Sequence, residues 1–102
     1  MDPYSIIDAQ LDHRAAENGW TVFREWAEAP ARFFYIGGRA PFDGFQISIE
    51  PPAADAVVVT ARSVDTNDEQ EFEQTWRGAV AEFDSLLTSA VALVETWKSR
   101  AP

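Results

Sequence analysis

Residues 66–100, TNDEQEFEQTWRGAVAEFDSLLTSAVALVETWKSR, decide the architecture. They fit one helix running to the C-terminus. Thr66 and Glu69 would make its capping box, and Phe72, Trp76, Val80, Phe83, Leu87, Val91, Val94 and Trp97 keep helical spacing. They also fit a strand followed by a helix. In that case Asp65–Gln70 is a hairpin loop, Glu71–Arg77 is a fifth strand, and the helix begins near Gly78. Phe72, Gln74 and Trp76 then lie on one face of the strand, with Glu71, Glu73 and Thr75 on the other. A continuous helix of about 32 residues would reach about 48 Å. A domain of this size has a radius of gyration of only about 13 Å, so that helix would project far beyond its own core. Gly78 would also cost its interior about 1 kcal/mol. On these two grounds the divided arrangement is preferred. In either case Ala79–Arg100 is helical, with Val80, Phe83, Leu86, Leu87, Ala90, Val91, Val94 and Trp97 as its apolar stripe.

Upstream, the pattern has the period of strands. Ala56–Val64 (AVVVTARSV) predicts one strand. Phe45–Glu50 (FQISIE) predicts another, with Phe45, Ile47 and Ile49 on one face and Gln46, Ser48 and Glu50 on the other. Pro51-Pro52 cannot donate to a ladder and ends it. Ala31–Ile36 (ARFFYI) and Trp20–Ala27 (WTVFREWA) are two more strands, with a turn expected at Ala29-Pro30 and a wider connection at Gly37–Gly44. Trp20, Val22, Phe33, Phe45, Ile47, Ile49, Val57, Val59 and Ala61 are expected to face the core, and Thr21, Glu25, Arg32, Thr60 and Arg62 to face away from it. At the N-terminus Asp2-Pro3 reads as a helix start, Ile7, Leu11 and Ala15 form a stripe, and Gly19 is the stop. Links this short favour an antiparallel meander. The predicted fold is α+β: an N-terminal helix, a meander of four or five strands and a C-terminal helix, both helices on one face of the sheet, in a single domain over residues 1–102.

Composition removes whole classes of function. Seventeen acids against eight bases give a net charge of −9. That speaks against nucleic acid and anionic membranes as partners. There is no cysteine, so disulfides, thiolate chemistry and cysteine-held metals are excluded, and one histidine cannot furnish a site that needs two imidazoles. No window has the length of a spanning segment and no leader-like stretch opens the chain, which gives a cytoplasmic expectation. No cofactor and no metal are expected.

His13 is read as a surface residue paired with Glu17 one helical turn away, rather than as a general base. The glycines of Gly37–Gly44 match no phosphate-binding pattern, yet Arg39, Pro41, Phe42 and Asp43 make a tip with an aromatic ring and both charge signs. Asp65, Asp68, Glu69, Glu71 and Glu73 place five acids in nine positions. They echo a calcium loop only in part, because Gln70 stands where that loop has glycine, and they suit a basic partner through steered association. Both parities of the first two strands carry aromatics, so no register hides them all: Phe23 or Trp26, and Phe34 or Tyr35, must lie on the face away from the helices. Exposed aromatics beside charged residues have the composition of an interface core and its rim.

The reading supported best is a non-enzymatic acidic protein-binding module, in concrete form an inhibitor or immunity-type protein masking a basic site on its partner. Phe34, Tyr35, Arg39, Phe42, Asp43, Arg62, Asp65, Asp68 and Glu69 are its candidate contact residues. One alternative is a homo-oligomeric structural or chaperone-like protein, with a second copy of the chain as partner. The other is a small enzyme or ligand binder with a pocket between sheet and helices, using Arg39, Arg62 and acids.

Overall fold

The computed structural model describes residues 4–36, 44–64 and 73–100. Helix α1 (Ser5–Asn18) leads into β1 (Phe23–Trp26), β2 (Ala29–Ile36), β3 (Gly44–Ile49), β4 (Ala56–Val64) and β5 (Glu73–Ala79). A single 3-10 turn (Val80–Glu82) then opens into α2 (Phe83–Arg100). The strands form one antiparallel sheet in the order β1-β2-β3-β4-β5. The strand-then-helix division of residues 66–100 is therefore the one adopted.

The division falls two residues later than the sequence pattern suggests, and Gly78 explains why. It is not the start of the helix but the inward-facing, penultimate residue of β5, opposite Val57. A Cβ there would sit 3.3 Å from both Glu82 Oε1 and Leu86 Cδ1, so a larger residue would have to push those side-chain ends aside, and glycine lets the chain fold back closely over its own strand. The Ala79 N–H donates to Glu82 Oε1 at 3.1 Å, and the Val80 N–H donates to the Asp55 carbonyl at 2.9 Å, which fixes the corner.

One core lies between the sheet and both helices. Phe34 and Ile36, Phe45, Ile47 and Ile49, and Val57, Val59 and Ala61 point inward from β2, β3 and β4. Tyr4, Ile7 and Leu11 meet them from the α1 side, and Phe83, Leu87, Ala90, Val94 and Trp97 from α2. Alternation in β3 and β4 is as the sequence predicts. Gly19 ends α1 in the left-handed region (φ 72°), its N–H donating to the Ala15 carbonyl. Tyr4 occupies the N-cap position, and Asp2-Pro3 lies outside the described residues.

Two expectations about β2 are overturned. Arg32 faces the helices and is 3% exposed, whereas Phe33 faces away from them. The reason is an acid on α1. The Arg32 guanidinium forks onto Asp8 (Nε to Oδ1 2.8 Å, Nη2 to Oδ2 3.0 Å), and its Nη1 donates to the carbonyls of Arg24 (3.2 Å) and Ala31 (2.7 Å). Its Cζ stands 4.6 Å from the centre of the Tyr4 ring, and the Tyr4 hydroxyl donates to the Ile49 carbonyl at 2.8 Å. Burying this cation is tolerable because it is paired and hydrogen-bonded.

The first hairpin also turns where no turn residue marks it. Trp26 pairs with Ala29, leaving Ala27 and Glu28 as the two-residue loop. Both have positive φ (52° and 67°), the signature of the mirror-image turn whose twist suits a hairpin. Ala29-Pro30, the expected turn, instead opens β2, with Pro30 opposite Glu25. Ala54 and Asp55 (φ 51° and 65°) repeat the arrangement before β4. Non-glycine residues in this region cost roughly 1 kcal/mol or more each. Replacing Ala27-Glu28 with Asn-Gly is expected to raise stability by about 1–2 kcal/mol, which at roughly 4–8 °C per kcal/mol is readily seen by thermal denaturation. An unchanged or lower melting temperature would show that the turn carries no strain.

Candidate functional site

The sheet face turned away from the helices is the candidate site. It is built by the same alternation that fills the core, since every second residue must point the other way. Register lays its side chains out in rows. Tyr35, Gln46, Arg62 and Glu73 form one row across β2, β3, β4 and β5. Phe33, Ser48, Thr60 and Thr75 form the next, with Phe23 of β1 opposite Phe33. The β1–β2 side of the face is aromatic and the β3–β5 side is polar.

The aromatic half is a packed cluster outside the core. Phe23 stacks on Phe33 at 5.2 Å between ring centres (13° between planes). Tyr35 stands edge-on to both Phe23 (5.8 Å) and Phe33 (6.0 Å), and Trp26 edge-on to Phe33 (6.0 Å). These are favoured geometries for aromatic pairs. The cluster nevertheless leaves much ring surface in water: Phe23 is 44% exposed, Tyr35 45% and Trp26 69%. In the polar half the Gln46 Nε2 donates to the Tyr35 hydroxyl at 3.4 Å, and the Thr60 and Thr75 hydroxyls share a hydrogen bond of 3.2 Å.

Charge divides unevenly between the two sides of the molecule. Arg32 and Arg24 both reach Asp8, the latter at 3.7 Å, and Arg24 also pairs with Asp12 of α1. Arg14 joins α1 to α2 through Asp84 (2.8 Å) and Thr88 (3.0 Å). These three cations are spent on the helical side. Arg62 faces the outer side, and among the described residues it makes no ion pair or hydrogen bond.

A depression of about 400 Å³ lies in this face, lined by Trp26, Phe33, Tyr35, Gln46, Ser48 and Arg62 among others. Most of these residues belong to the outer face, and Ala31, Arg32 and Ile49 complete the lining, so it is not a pocket enclosed between sheet and helices. Among the described residues no three His, Asp or Glu side chains gather as a metal site. No helix among them is long and apolar enough to cross a membrane.

Of the contact residues expected from sequence, the structure brings together Tyr35 and Arg62, on one row and two strands apart. Phe34 is corrected: it is 0% exposed, stacked against Trp20 at 4.4 Å on the core side, and cannot touch a partner. Arg39, Phe42, Asp43, Asp65, Asp68 and Glu69 lie outside the described residues. The strands flanking both of those segments end beside the Tyr35–Arg62 row. Phe33 is the member that sequence reasoning missed, because a phenylalanine between Arg32 and Phe34 reads as core. The burial of Arg32, which forces Phe33 outward, depends on Asp8, twenty-four residues earlier. His13 is on the surface as expected, 3.3 Å from Glu17.

Comparison with known proteins finds no matching family model, no matching curated protein and no matching solved structure. The functional reading therefore rests on this face.

Proposed function

We propose that the chain is a non-enzymatic protein-binding module that receives its partner on the outer sheet face. The observation that carries this is the Phe23–Trp26–Phe33–Tyr35 cluster, built outside the core, with Phe33 at its centre and Phe23, Trp26 and Tyr35 left open to solvent. Rigid aromatic rings ringed by polar side chains are the anchors around which protein interfaces form. The net charge of −9 favours a basic partner, and an inhibitor or immunity-type protein is the concrete form of that reading.

The test is quantitative affinity capture from the native host with three baits: the natural chain, Trp26→Ala and Tyr35→Ala, with the exposed helical substitution Ser89→Ala as control. A partner held through this face is retained by the natural chain and by Ser89→Ala. It is expected to dissociate about tenfold faster from either aromatic variant, because anchor residues govern residence time. A partner held equally by all baits would show that the face is not the interface. Self-association that rises with concentration and is lost in Trp26→Ala would instead identify a second copy of the chain as the occupant.

A further inference from the structure

We propose that the depression between the aromatic cluster and Arg62 is a binding site for a small aromatic carboxylate, a flat ring bearing one carboxylate at its end. This goes beyond the docking of a protein on the same face. The cavity, about 400 Å³, is within the range of small-molecule sites. Its two ends differ in chemistry. At one end Trp26, Phe33 and Tyr35 present ring faces and edges, surfaces on which a flat ring stacks. At the other end is Arg62, whose planar fork matches a carboxylate with two parallel hydrogen bonds. Gln46 and Ser48 lie on the floor between them.

Three features select this ligand class. Arg62 makes no ion pair or hydrogen bond among the described residues, so none of these occupies its donors. Tyr35 and Arg62 are separated by one intervening strand, about 10 Å at the spacing of a sheet, which suits a ring with a short acidic arm. Glu73 stands opposite Arg62 on β5 and repels any anion that approaches the guanidinium, so a ligand with one negative charge is opposed less than a doubly charged phosphate.

The test uses three probes on the natural chain: indole-3-acetate, which has ring and charge; indole-3-acetamide, which has the ring alone; and hexanoate, which has the charge alone. Amide chemical shifts followed by NMR give both affinity and location. Indole-3-acetate is expected to saturate, with its shifts centred on residues 33–35, 46–48 and 62. The amide and hexanoate are each expected to bind at least about tenfold more weakly, the loss set by one charge-assisted pair or one stacked ring. Arg62→Gln is expected to weaken indole-3-acetate about tenfold while leaving the amide unchanged. Equal affinity for the acid and the amide, shifts centred elsewhere, or no saturation up to about 10 mM, would each overturn the proposal. The comparison of probes needs no variant, so it stands even if Arg62→Gln disturbs the fold.

Discussion

Replacing Arg32 with Ala is expected to lower the free energy of unfolding by about 3–5 kcal/mol, the cost of breaking a buried ion pair by removing one member. Total stability for a domain of this kind is about 5–15 kcal/mol, so the variant would approach unfolding at elevated temperature. The size follows from what is left behind. Among the described residues Asp8 keeps only Arg24, 3.7 Å away, the Arg24 and Ala31 carbonyls lose a donor, and the Tyr4 ring loses its cation. Arg32→Lys is expected to recover only part of the loss, because an ammonium cannot fork onto a carboxylate and reach two carbonyls as well. Removing both charges together, as Asp8→Asn with Arg32→Met, is expected to cost less than Arg32→Ala alone. Urea unfolding checks all three through the midpoint, with the slope unchanged. An Arg32→Ala variant within about 0.5 kcal/mol of the natural chain would show that α1 is not held to the sheet by this network.

The parts of the fold that were legible in the sequence are those where a single local rule decides. Phe45, Ile47 and Ile49 alternate with Gln46 and Ser48, so one face of β3 had to be core, and all three are buried. Gly19 ends α1 because no other residue enters the left-handed region so cheaply. The fifth strand was legible from size: a helix through residues 66–100 could not be covered by so small a core. The parts that were not legible depend on residues far apart in the chain. In β2 both parities are aromatic, so the register was decided by Arg32 finding Asp8, and with it which of Phe33 and Phe34 joined the outer face, where Phe33 lies beneath its neighbouring rings at 9% exposure. The two tight turns carry Ala-Glu and Ala-Asp where glycine or asparagine is usual, and only pairing across the hairpins holds them there. Of the site, sequence supplied the reason for its existence, an excess of aromatics over places to bury them. It did not supply the partition that puts Phe33 out and Phe34 in, nor the cavity that Trp26 and Arg62 share.

Leu87→Ala is expected to cost about 2–5 kcal/mol, the range for a fully buried leucine whose cavity cannot collapse. Leu87 is 0% exposed and lies in the α2 stripe with Phe83, Ala90 and Val94, facing a sheet whose inward residues Val57 and Val59 are equally buried. Leu93, only partly buried at the margin of the same core, is expected to lose less than half as much on the same truncation. The comparison separates burial from any effect of shortening a leucine in a helix, because both sites are helical. The pair Leu87→Ala and Trp26→Ala then tests whether the molecule is two-sided. Leu87 belongs to the core beneath the sheet, and Trp26 to the ring cluster on the other side, with no shared partner among the described residues. Their effects on stability are expected to add within about 0.3–0.5 kcal/mol, as they do for sites that do not touch. A coupling larger than that would mean the sheet transmits strain between its faces, and that the open aromatic cluster helps hold the fold. Additivity, with a small cost for Trp26→Ala, would mean that the fold does not need Trp26 on the surface, as the proposed binding role of the outer face requires.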